Sequence, residues 1–143
     1  MLRVLYIICF ICCLSPFGAA GNTIQIDAAF RRTEIYNALT AQEPDTLPYL
    51  QLDFNLKNVT TTERTVYLSI INPTIDSIEV KTKNKIEILG DHINFKQHKI
   101  KHNNHVAVVS IAANSTEPVT LKIKKQWKYT NIRVMLSSQK CIY

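Results

Sequence analysis

Glycine is scarce in this sequence: three in 143 residues. A phosphate-cradling loop or a dinucleotide-binding turn needs several glycines close together, because the backbone there must approach an anion and adopt positive φ. Gly18, Gly21 and Gly90 supply no such cluster, and no Gly-x-Ser-x-Gly hydrolase elbow occurs. Cysteine is nearly absent beyond the first stretch of the chain. Cys9, Cys12 and Cys13 fall within the first fourteen positions, which leaves only Cys141. A lone cysteine closes no intrachain disulfide, so the fold must rest on an apolar core. Its place two residues from the last one given also suits an enclosed nucleophile poorly. Beyond residue 20 the longest apolar stretch is Val106–Ala113, interrupted by Ser110. That is far short of the roughly twenty residues a membrane helix needs. Carboxylates such as Asp53 and Glu79 have no spacing that marks an acid–base pair. These absences argue against an enzyme and against any cofactor, and they direct the reading toward binding.

The beginning of the chain is apolar in a particular way. Arg3 precedes the unbroken run Val4–Leu14, Pro16 ends it, and Gly18-Ala19-Ala20 offers the small residues of a cleavage site. The pattern predicts a secretory signal peptide over residues 1–20, removed to leave Gly21 first, and an exported, periplasmic or extracytoplasmic protein. Secretion without disulfides fits a bacterial periplasm better than a small eukaryotic scaffold. Two sequons, Asn58-Val59-Thr60 and Asn114-Ser115-Thr116, matter only in a eukaryotic host.

From residue 49 onward the chain alternates with period two. Leu50, Leu52, Phe54 and Leu56 alternate with polar neighbours, as do Val66, Leu68 and Ile70 up to the turn at Asn72-Pro73. Ile78 and Val80, then Ile86 and Ile88, form two runs joined at Thr82-Lys83-Asn84 and ended by Gly90-Asp91. Ala107, Val109 and Ile111 are followed by the turn at Asn114, then by Val119, Leu121 and Ile123, and finally by Ile132, Val134 and Leu136. Thr23–Asp27 and His98–Lys101 are further strand candidates. Ile35, Tyr36 and Leu39 share one face of a short helix over 28–42, and residues 43–48, with two prolines, read as a linker. Short strands without long helices between them predict an all-β fold, an antiparallel jelly-roll-like β-sandwich of about eight strands. Residues 21–48 supply an N-terminal strand and linker, and 49–143 the ligand-binding domain. Leu52, Phe54, Leu68, Ile70, Val109, Leu121, Ile123 and Val134 are expected in the core.

The net charge of +6 is unevenly spread. Residues 21–80 carry four basic and eight acidic side chains, and residues 81–143 carry twelve and three. A basic face either meets an anionic or hydroxyl-rich partner, such as an acidic glycan, lipopolysaccharide or membrane headgroups, or is simply a solvated, lysine-rich sheet surface. Lysine outnumbers arginine and aromatic residues do not interleave with it, which argues against nucleic acid. His92, His98, His102 and His105 lie close in sequence, but Lys96, Lys99 and Lys101 stand among them and repel a cation. No metal site is expected there. Trp127 and Tyr129, beside Lys124, Lys125 and Lys128, offer ring faces on which a sugar can stack, or else Trp127 caps the end of the sandwich core.

Three pieces, TVYLSIINP at 65–73, ILGDHINF at 88–95 and QHKIKHNNHVAVVSI at 97–111, occur in an order that resembles a known family. VTLKIKK at 119–125 and IRVML at 132–136 fit its closing strands. The family is the type 2 extracellular domain of bacterial receptors with seven transmembrane helices and diverse intracellular signalling modules, 7TMR-DISM. The resemblance implies a jelly-roll ectodomain that binds a carbohydrate or other small ligand outside the membrane and signals through the helices. Those helices are missing from this sequence. By position it places ligand binding at Asp91, Gln97, His98, Lys99 and His102, where histidine and lysine stand in place of the family's common arginines. The expected function is a sensory ectodomain whose ligand also meets Trp127 and Tyr129. The alternative is a sandwich that docks another protein along an edge strand and takes no small ligand.

Overall fold

In a computed structural model, residues 21–37, 49–72, 75–91, 93, 104–124 and 132–139 are described. Among the described residues nine strands make up the regular structure: β1 (Asn22–Ile26), β2 (Arg32–Asn37), β3 (Tyr49–Asn58), β4 (Arg64–Ile71), β5 (Ser77–Lys81), β6 (Ile86–Leu89), β7 (His105–Ile111), β8 (Thr116–Lys124) and β9 (Arg133–Ser137). They form two sheets, a five-stranded one ordered β1-β3-β8-β5-β6 and a four-stranded one ordered β2-β9-β4-β7. All pairs are antiparallel except β1 with β3, which run parallel. The all-β sandwich expected from the alternation is therefore present.

The long strands β3 and β8 set the register of the larger sheet. Leu50 lies opposite Ile123, Leu52 opposite Leu121 and Phe54 opposite Val119, so directly paired residues put their apolar side chains on one face. Leu68 opposite Ala107 and Ile70 opposite Val134 do the same in the smaller sheet. These inner faces meet to form the core. Of the eight residues expected there all but Leu52 are buried, and Leu52 is half-buried against the same cluster. Ile26, Ile75, Ile78, Ile111 and Ile132 join them at 1% exposure or less.

One expectation is corrected. Residues 32–37, read as part of a helix, form β2, which pairs with β9 through a register shift between Glu34 and Tyr36. The shift at that point interrupts strict alternation, so Ile35 and Tyr36 do not show the period of two that marks a strand. Ile86 and Ile88, the run that marks β6, point outward at 59% and 44% exposure. Ile78 opposes Leu89 and Val80 opposes Glu87, and since Ile78 and Val80 are buried, their partners must face inward. Glu87 tolerates this because the Lys85 ammonium pairs with its carboxylate. The expected signal peptide, the linker at 43–48 and the strand at His98–Lys101 lie outside the described residues.

Polar ties hold the sandwich at its ends. Asn58, 1% exposed, ends β3 and donates from its side-chain nitrogen to the carbonyls of Thr62, Ile111 and Ala112 at 2.9, 3.0 and 3.0 Å. Its side-chain oxygen accepts from the Thr60 N–H and hydroxyl at 2.9 and 2.7 Å. One side chain thus joins a strand of the larger sheet to β7 of the smaller. Gly90 follows β6 with φ of 129°, and a Cβ there would meet the Asp76 carbonyl oxygen at 2.3 Å. Only glycine allows this approach, which brings the Asp91 N–H to the Ile75 carbonyl at 2.9 Å.

Candidate functional site

Alternation gives each sheet an outer face as well as an inner one, and the two differ. On the larger sheet the outward positions are Tyr49, Gln51, Asp53, Asn55 and Lys57 of β3, Thr120, Lys122 and Lys124 of β8, and Ser77, Glu79 and Lys81 of β5. Register aligns these into cross-strand rows: Tyr49–Lys124–Ser77, Gln51–Lys122–Glu79 and Asp53–Thr120–Lys81. Lysines outnumber carboxylates in these rows. An open groove of about 340 Å³ crosses the first two rows, lined by Tyr49, Ser77, Glu79, Lys122 and Lys124. That volume lies within the ~300–1,000 Å³ typical of small-molecule sites.

The groove combines groups suited to a polar ring compound. Tyr49 is 43% exposed and offers a ring face. The Lys122 ammonium lies over that ring, 4.7 Å from its centroid, within cation–π range. The Ser77 hydroxyl donates or accepts, the Glu79 carboxylate accepts, and the two lysines donate. One row further on, Asp53 accepts from Gln51 Nε2 at 3.0 Å and from the Thr120 hydroxyl at 2.7 Å. The Gln51 hydrogen bond, then that from Thr120, hold its carboxyl below the usual aspartate value. These bonds fix the floor beside the groove.

The expected site residues fall unevenly on this structure. Asp91 is described: it sits just beyond Gly90, with its carboxylate 3.7 Å from Nε2 of buried His105. This contact bridges the end of β6 to the start of β7 at the margin of the sandwich and is separate from the groove. Gln97, His98, Lys99, His102, Trp127 and Tyr129 lie outside the described residues. Sequence reasoning did not single out Tyr49 or Ser77. The signal for Tyr49 was available, since it shares the parity of Gln51 and Asp53, the outward positions of β3. What the sequence did not supply is the pairing of β3 with β8 and β8 with β5, which brings three separate stretches into one groove.

A family model described as 7TMR-DISM extracellular 2 matches residues 52–138, more than half of the chain. No curated protein sequence matches it. Among solved structures, the pre-peptidase C-terminal domain of collagenase from Bacillus anthracis is 8% identical, with a TM-score of 0.41 over 84% of this chain and 97% of that one. The insecticidal crystal protein Cry2Aa is 10% identical, with a TM-score of 0.39 over 61% of this chain. The mosquito-larvicidal Cry4Aa toxin from Bacillus thuringiensis is 10% identical, with a TM-score of 0.37 over 85% of this chain. The chain spans 15% and 25% of those two toxin chains.

Proposed function

The chain belongs to the 7TMR-DISM extracellular 2 family, and from that membership we propose that it is a non-catalytic, ligand-binding sensory domain acting outside the cytoplasm. The observation that carries the ligand reading is the groove on the outer face of the larger sheet. Tyr49 supplies a platform, Ser77 and Glu79 match hydroxyls, and Lys122 and Lys124 match acceptors or negative charge. A sugar ring fits this mixture, since it stacks by its C–H face and hydrogen-bonds around its rim. Trp127 and Tyr129, just beyond Lys124 in the chain, extend the same proposal, as does the segment from Gln97 to His102 after Asp91. Binding there biases the receptor from which such a domain signals.

Calorimetry of the purified protein against a panel of neutral and acidic oligosaccharides tests the reading. At least one member should bind, and Tyr49→Ala should weaken it by ~1 kcal/mol or more with the fold intact. A panel without any binder, or binding indifferent to Tyr49, would leave the protein-docking sandwich as the better account.

A further inference from the structure

Resting on the sugar-site reading, we infer that Lys122 is a specificity switch which makes the groove select pyranose rings bearing a carboxylate over neutral ones. Register separates the two lysines. Lys124 is the direct partner of Tyr49 across the β3–β8 pair, whereas Lys122 is the partner of Gln51, one row away. Lys122 is nevertheless the lysine that reaches diagonally to set its ammonium over the Tyr49 ring, 4.7 Å from the centroid. The ring face a sugar would use is therefore already occupied by a cation from the protein itself.

A stacking sugar must move that cation. Displacement removes the cation–π contact, worth about a two- to fivefold change in affinity at an exposed site. A neutral sugar returns only hydroxyl hydrogen bonds to the displaced ammonium, which water supplies equally well. A carboxylate on the ring returns a charge-assisted hydrogen bond, and Lys124 on the same strand offers a second ammonium beside it. Glu79 lies directly opposite Lys122 on β5. It limits where the acid group can sit, because a carboxylate placed toward β5 meets a like charge while one placed over Tyr49 and Lys124 does not. The resting position of Lys122 thus weighs against neutral sugars and for acidic ones. Tyr49 provides the platform common to both.

The test compares an oligogalacturonate with its methyl ester, which keeps the rings and removes the charge, by calorimetry on the wild-type protein and on Lys122→Gln and Tyr49→Leu. Wild type should bind the acid about tenfold or more tighter than the ester. Lys122→Gln should lose most of that preference in two opposite movements. The acid should bind more weakly, and the ester ~2–5-fold more tightly than it binds wild type, because the ring face is now free. Tyr49→Leu should weaken both forms. Thermal unfolding should be unchanged in Lys122→Gln, since the side chain is exposed. Equal binding of acid and ester to wild type, or parallel weakening of both in Lys122→Gln, would overturn the switch while leaving the sugar site standing. If neither form nor any other sugar binds wild type, the site and the switch fall together.

Discussion

The outer faces of the two sheets are built on different rules. That of the five-stranded sheet alternates cleanly against the core and carries Lys57, Lys81, Lys122 and Lys124 with Asp53 and Glu79. The outer face of the four-stranded sheet carries Tyr67, Ile71, Val106, Val108 and Met135 around Ser69 and Ser137. There Ser69 is 8% exposed, Val106 7% and Ser137 4%, although all three point away from the core. A strand largely buried on both faces loses its alternation and reads as a nearly continuous run, as His105–Ile111 does with His-Val-Ala-Val-Val-Ser-Ile. The contrast teaches that, among the described residues, the larger sheet is the one whose outer face leaves polar chemistry free to be arranged. Among the described residues the outer-face charges of the smaller one lie on β2 and β9, where Arg133 pairs with Glu34 at 2.7 Å.

The sharpest way to break this contrast is to put a charge on each outer face. Val106→Asp, outward but buried, should cost several kcal/mol, a large part of the ~5–15 kcal/mol that holds a domain together. Lys122→Glu, outward and exposed, should stay within ~0.5 kcal/mol. Chemical denaturation of the two variants reads both numbers, and similar losses would mean the faces are not different. Within the larger sheet the contrast can be sharpened at β6. Leu89→Ala should cost about 2–5 kcal/mol, because it removes a core side chain, and Ile88→Ala well under 1 kcal/mol. The reverse order would show that β6 faces the other way.

The smallest expected effect compares one carboxylate from each outer face. Glu34 is held below the usual glutamate value by hydrogen bonds from Arg133 first and then Asn37. Asp53 is held down by Gln51 and Thr120. A carboxyl whose folded pKa is depressed stabilises the fold above its unfolded pKa, and that contribution is lost as pH falls through the folded value. Melting temperature should therefore decline in acid, below the ordinary carboxylate range, somewhat less steeply in Glu34→Gln and Asp53→Asn than in wild type. Both groups are exposed, so each difference should be slight. Variants that melt with the same acid slope as wild type would show that neither carboxylate is held down by its partners.

Most of the sandwich was legible in the sequence because one rule, alternation, governs a strand with one buried face. Leu50 through Leu56 and Val119 through Ile123 obey it, and their inward positions follow directly. The rule failed where a second constraint intervened. At Glu34–Tyr36 a register shift broke the period, and at β6 the face that turns inward follows from the hairpin pairing, which commits Leu89 to the core. The groove was illegible for a different reason. Its residues come from β3, β5 and β8, and no local pattern encodes which strands become neighbours. Asp91 was found from its motif, yet it lies beside His105 at the margin rather than among the groove residues.

Asn58 carries a consequence for how the protein can be made. Its side-chain nitrogen serves three carbonyls in a buried site, yet it heads an Asn-Val-Thr acceptor sequence. A glycan attached to that nitrogen would remove a donor hydrogen and bring a bulky polar group into the space between the sheets. In a eukaryotic secretory pathway, attachment to the nascent chain and closure of the sandwich become competing events in time. Whichever chain is modified first at Asn58 can no longer reach the native packing, whereas a chain that folds first hides the acceptor permanently. Production in such a host should divide into a folded fraction bare at Asn58 and a retained fraction glycosylated there, and Asn114, exposed in its turn, should show no such division.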